Sequence, residues 1–190
     1  GAMNLTTAGR GIAHSERTPA AERAGPHAIL GLQSWIALPI GQEEIDPSFQ
    51  HFDATILPLV EDGRVAARII AGSAFGRTSP VKTLSDWFYV EVTLAAGATV
   101  PLDPDYEDRA VYIVDGELEI AGDRFEGPRL LVFRPGDRIT MTAVRATRAM
   151  LLGGATMEGP RHIWWNFVSS SKDRIEHAKE DWALARFPAI

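Results

Sequence analysis

Residues 86–94 read D-W-F-Y-V-E-V-T-L. In an extended chain, successive side chains point to opposite faces. Phe88, Val90, Val92 and Leu94 then share one face, while Trp87, Tyr89, Glu91 and Thr93 share the other. That alternation is the pattern of a strand with one buried side. Similar short apolar segments occupy 31–39, 52–60, 64–72, 109–115, 117–121, 129–133, 137–143, 147–153 and 162–168. Turn residues separate them, among them Glu61-Asp62-Gly63 and Arg134-Pro135-Gly136-Asp137. Asp115-Gly116 is a two-residue hairpin signal. Strands and turns at this regular spacing predict an all-β sandwich or barrel of the jelly-roll kind.

One segment breaks the pattern. After Ser169–Ser171, which offers N-caps, Ile175, Ala178 and Trp182 fall on one helical face. Ser170 stands three before Asp173, as in a capping box. Pro188 lies beyond the end, so a single C-terminal α-helix is expected.

Composition narrows the function. The chain has 190 residues, with 45% hydrophobic and 23% charged, which is ordinary globular usage. A net charge of -6 argues against direct nucleic-acid binding, though not against contact with a DNA-bound protein. No cysteine is present, which excludes disulfides, thiolate metal ligands and thiol nucleophiles. No apolar run has the length of a membrane span. The start shows no signal-peptide pattern, and Gly1-Ala2 before Met3 reads as a scar of tag removal. A cytoplasmic protein is expected. Of 19 basic residues 16 are arginine, which suits a GC-rich bacterial genome. There is no nucleophile elbow, P-loop or dinucleotide fingerprint.

The chemistry-bearing stretch is G-R-G-I-A-H-S-E-R-T-P at 9–19. On a strand, His14 and Glu16 would aim an imidazole and a carboxylate at one point. Both are typical ligands of non-haem iron or zinc. An exposed polar pair near a frayed terminus is the plainer reading of these two residues alone.

The motifs T-A-G-R-G-I-A-H-S-E at 7–16 and G-L-Q-S-W-I-A-L-P at 31–39 resemble the pirin family. So do Y-V-E-V-T-L-A-A-G-A at 89–98, A-V-Y-I-V-D-G-E-L at 110–118 and L-L-G-G at 151–154. The tail at 161–182, R-H-I-W-W-N-F-V-S-S-S-K-D-R-I-E-H-A-K-E-D-W, is similar to one pirin subfamily. Pirins are bicupins, two jelly rolls side by side. The resemblance implies iron, Fe(II), held in the first cupin by three histidines and a glutamate. Two of those histidines come from an H-P-H motif upstream. His14 and Glu16 match the other half, and Glu16 is also the candidate catalytic base.

This chain starts at the second motif and has no H-x-H pair among His27, His51, His162 and His177. The expectation is therefore a pirin lacking most of its first cupin, with no metal bound. Residues 1–64 would be scar and remnant of the metal-binding cupin. Residues 65–190 would be the C-terminal cupin with its terminal helix. In that cupin, Asp103-Pro104-Asp105 and Arg109 stand where cupins place ligands, and 146–148 offers no histidine. A metal-free second domain is expected. Asp103 and Asp105 are candidate ligands of a hard cation, with a polar turn the plainer reading.

Other residues carry a functional and a bland reading. Trp35, Trp87, Trp164, Trp165 and Trp182 are candidates to stack on a flavonoid, or core and interface anchors. His162 is a candidate proton carrier or a structural histidine. Arg109, Arg134, Arg138, Arg145 and Arg148 are a candidate anion pocket or scattered surface charges.

The resemblance implies two functions for an intact ancestor. One is a metal-dependent quercetin 2,3-dioxygenase; the other is an iron-linked transcriptional co-regulator. For this chain the expectation is a non-catalytic binding or interaction module, with a regulatory protein or a flavonoid-like molecule as partner. Exposed strand edges and apolar faces also predict a homodimer that covers the strands between Gly31 and Gly72.

Overall fold

The computed structural model describes residues 1–18, 20–26, 30–102 and 105–188. In chain order the elements begin with β1 (Met3–Thr7), α1 (Ala20–Arg23), β2 (Ser48–Phe52), β3 (Leu59–Glu61), β4 (Val65–Ala71), β5 (Ser73–Ala74) and β6 (Arg77–Thr78). Then come β7 (Trp87–Leu94), β8 (Thr99–Leu102), β9 (Asp108–Asp115), β10 (Glu117–Ile120), β11 (Asp123–Glu126) and β12 (Arg129–Phe133). The last are β13 (Ile139–Ala143), β14 (Thr147–Gly154), β15 (His162–Trp164), β16 (Phe167–Ser169) and α2 (Lys172–Ala183).

Two sheets form the sandwich. One has six strands in the order β12-β9-β14-β7-β4-β3, the other four in the order β11-β10-β13-β8. The alternation of β7 is realised in full: Phe88, Val90, Val92 and Leu94 are buried, and Thr93 opposite them is exposed. β7 sits centrally, paired antiparallel with β14 from Trp87–Gly154 to Leu94–Thr147. Its buried face meets Val100, Leu102, Leu118 and Met141 of the smaller sheet, together with Ile69, Val111, Ile113 and Leu151. Strands with one apolar face can hide it only against another such face, so two sheets close on one core.

The Asp115-Gly116 step differs from the hairpin that its composition predicts. β9 lies in the six-stranded sheet and β10 in the four-stranded one, so the chain changes sheet there. Gly116 has φ 103°, and a Cβ on it would run into Thr147. The backbone N–H of Glu117 donates to Thr147 Oγ1 at 2.9 Å, fixing the corner. The tight hairpin lies one strand later, between β10 and β11, where Ala121 and Gly122 both have positive φ.

Asp62 does what its turn predicts. Its carboxylate accepts the backbone N–H groups of Arg64 and Val65, and these bonds hold its pKa below the ordinary 3.8. The Thr55 backbone and hydroxyl hold that of Asp53 down in the same way.

Residues 31–39 are a departure: no strand forms there, and Leu32, Trp35 and Ile36 are exposed. An apolar run becomes a strand only where a neighbouring strand pairs with it. The helix comes where expected, although its cap is Ser171 rather than Ser170, with Ser171 Oγ accepting from Arg174 N at 3.3 Å. Ile175 and Ala178 are buried, while Trp182 is half exposed.

The chain divides into two compact units. One comprises Gly1–Leu5 with Gln50–Thr156, the other Thr6–Phe49 with Met157–Ile190. The first holds the sandwich. The second holds the His14 motif, the β15–β16 hairpin and α2. No helix among the described residues is long and apolar enough to cross a membrane.

Candidate functional site

The motif begins with a tight turn. Gly9 takes φ 52°, and a Cβ there would collide with the Ile45 carbonyl, so only glycine fits. Arg10 N donates to that same carbonyl at 3.0 Å, and Gly11 N to Ala8 O at 3.0 Å. The Arg10 guanidinium pairs with Asp46, and Arg174 Nη2 donates to Arg10 O at 2.9 Å. The glycines and arginine thus anchor the entry to the motif. Beyond it, residues 11–18 carry no strand pairing, and both His14 and Glu16 are exposed.

An iron site of the implied kind needs four side chains. Among the described residues no three His, Cys, Asp or Glu side chains lie close enough together to hold one metal ion. The remaining described histidines are placed elsewhere in the chain. His51 Nδ1 lies 2.7 Å from Asn4 Oδ1, His162 is half-buried on β15, and His177 is exposed on α2. His27 and Asp103 lie outside the described residues. The donor set among the described residues therefore does not fit the four-ligand iron centre.

Three of the five arginines of the candidate anion pocket are engaged elsewhere. Arg109 is 1% exposed and donates to Asp137 O at 2.7 Å and Arg134 O at 3.0 Å. It clamps the Arg134–Asp137 turn from inside the sandwich. Arg145 reaches Glu126 at 2.7 Å, and Arg148 pairs with Glu91. Arg134 and Arg138 stay exposed at the turn that Arg109 holds.

The tryptophans part company. Trp87 packs beside Leu57, Ala71 and Val81 in a second small core. Trp165 meets Trp182 at 4.9 Å, and Trp164 stacks on Phe167 at 5.9 Å. Phe167 in turn stacks on Phe187 at 5.7 Å. Trp164, Trp165 and Trp182 each stay between 42% and 53% exposed, and Trp35 reaches 54%.

Sequence reasoning missed Glu43. Its Oε1 accepts Ser170 N at 2.8 Å, and its Oε2 accepts Ser170 Oγ at 2.5 Å. Arg161 Nε lies 3.3 Å away, near enough for an ion pair although off line for a hydrogen bond. Arg161 Nη2 donates to Leu38 O at 2.8 Å. The only hint in the sequence is a Glu-Glu pair in a polar loop, and nothing there gives its distant partners.

Comparison with known proteins matches the model of the pirin C-terminal cupin domain to residues 89–188, more than half of the chain. A pirin-like protein of Caulobacter vibrioides is 46% identical over 185 residues, covering 97% of this chain and 64% of that one. Two crystal structures of quercetin 2,3-dioxygenase from Acinetobacter baumannii superpose with TM-scores of 0.77 and 0.73, at 20% and 28% identity. Each is matched over 82% of this chain, and over 56% and 53% of the respective neighbour. The chain thus spans between half and two-thirds of the length of each of these three proteins. With a jelly-roll sandwich built largely from the matched residues, this chain belongs to the pirin family.

Proposed function

We propose that this chain is a pirin-family binding module that does not turn over substrate by itself, with His14 and Glu16 supplying half of a metal site. One observation supports the reading most. His14 and Glu16 lie exposed on an unpaired segment, and no third donor joins them among the described residues. Two ligands hold iron weakly, because each missing donor removes binding energy and geometry. In this reading residues 1–64 belong to the metal-binding cupin, and the protein works in the bacterial cytoplasm. Leu30, Leu32, Trp35, Ile36 and Ile40 are all at least 43% exposed, which suits a partner surface. The partner is a regulatory protein or a flavonoid-like molecule, and a second copy of this chain covers the apolar segment. Light scattering tests the homodimer, and a clean monomer at micromolar concentration argues against it.

A second reading draws on the name of the Acinetobacter neighbours. Remaining ligands supplied from outside the described residues would complete the centre, giving a quercetin 2,3-dioxygenase with Glu16 as candidate base. Elemental analysis of the purified protein and of His14→Ala separates the two. Less than about a tenth of a metal per chain in both supports the module. One metal per chain, lost in the variant and accompanied by oxygen uptake with quercetin, overturns it.

A further inference from the structure

A cavity of about 370 Å³ opens at one end of the sandwich. Its wall is apolar: Phe88 and Val90 of β7, Leu102 of β8 and Leu151 of β14, all buried. The β5–β6 hairpin closes over it with Ala74 and Phe75. Phe75 sits at φ 51°, an uncommon place for a bulky residue, and its ring packs against the core. Next to this cavity, and sharing Ser73 with it, is a hollow of about 520 Å³ lined by Asp86, Asp105, Tyr106 and Glu107. The Phe88 ring on one side meets the Tyr106 ring on the other, centroids 4.9 Å apart. The Tyr106 hydroxyl donates to Asp86 Oδ1 at 3.2 Å.

The apolar cavity carries the argument, and the neighbouring charges select what enters it. Its size lies in the range of ligand pockets, which run from about 300 to 1,000 Å³. Among the described residues no lysine, arginine or histidine lines either hollow, while three carboxylates line the outer one. A carboxylate or phosphate would meet like charge there, and an ammonium would meet opposite charge. We propose that this paired hollow binds a small amine with an apolar body. The ring or hydrocarbon would fill the space between Phe75, Phe88 and Leu151, and the ammonium would sit beside Asp86 and Glu107. The inference goes beyond the module reading. It uses neither His14 nor Glu16, so metal analysis and amine binding stand or fall separately.

Three near-isosteric probes test it by calorimetric titration: 2-phenylethylamine, 2-phenylethanol and 3-phenylpropanoate. The amine should bind about tenfold more tightly than the alcohol, equivalent to about 1.4 kcal/mol, and the acid about tenfold more weakly than the alcohol. Asp86→Asn combined with Glu107→Gln, both exposed positions, should bring the amine to the level of the alcohol. Ala74→Leu, which fills the cavity from its rim, should weaken amine and alcohol alike by about tenfold or more. Added salt should erode the amine's advantage. Equal affinity for all three probes overturns the charge selection. Amine binding unmoved by Ala74→Leu, in protein whose circular dichroism matches wild type, overturns the cavity assignment. No binding of any probe at millimolar concentration overturns both.

Discussion

Replacing Glu43 by glutamine removes one charge from a nearly dry pair. The Arg161 side chain is 8% exposed and that of Glu43 16%. Breaking a fully buried pair from one side costs about 3–5 kcal/mol, because the remaining charge stays out of water without compensation. Two features lower the figure here. Arg161 keeps the carbonyls of Leu38 and Glu158, at 2.8 and 2.9 Å, and the introduced amide would keep one acceptor oxygen for Ser170. The expected loss is then about 2–3 kcal/mol, the upper part of what one hydrogen bond to a charged group contributes. At roughly 2–4 °C per kcal/mol for a chain of this size, Tm should fall by about 5–10 °C. Thermal unfolding followed by near-ultraviolet circular dichroism is the assay, because Trp164, Trp165 and Trp182 lie in the same compact unit as the pair. A double-mutant cycle with Arg161→Met should show coupling above about 1 kcal/mol. Should Glu43→Gln unfold within about 0.5 kcal/mol of wild type, the ion pair is solvated and the reasoning fails.

Four further outcomes are expected. Leu118→Ala, at a fully buried position, should cost about 3–5 kcal/mol by urea titration, with the m-value unchanged. Gly116→Ala should cost about 2–4 kcal/mol, since the new Cβ meets Thr147 at a φ that side chains avoid, whereas Gly63→Ala, with open space around it, should cost less. Asp62 has its folded pKa below the ordinary 3.8, so its contribution is complete above that value and is lost as pH falls through the folded pKa. Asp62→Asn should therefore show a shallower fall of Tm than wild type as pH drops from neutrality through the carboxylate range. His14→Ala, at an exposed position, should leave stability within about 0.5 kcal/mol, so any change in metal content reports ligation and not folding.

The fold was largely open to reading from the sequence because a sandwich strand carries its own signature. In β7 the period-two alternation follows from burial of one face, and both facts live within eight residues. The cap and apolar stripe of α2 are local in the same sense. Gly116 shows where local reading stops. Asp-Gly favours positive φ, and Gly116 has it, but whether the next strand folds back or crosses to the other sheet depends on Thr147, several strands further along. The segment 31–39 shows the same limit, as its residues suit a strand but no neighbour offers a ladder.

The family, the all-β class and the candidate pair His14 and Glu16 were all determined by short motifs, because turn glycines and ligand types are specified residue by residue. What only the tertiary structure decided are relations between distant residues. Arg109 became a buried clamp on Arg134 and Asp137 instead of a pocket cation. Glu43 found Arg161 and Ser170 across more than a hundred residues. An apolar cavity came to lie beside Asp86 and the distant loop of Asp105 and Glu107. Such relations come from how strands pair and sheets stack, and a buried charge or cavity has no chemical meaning until its neighbours have been brought to it.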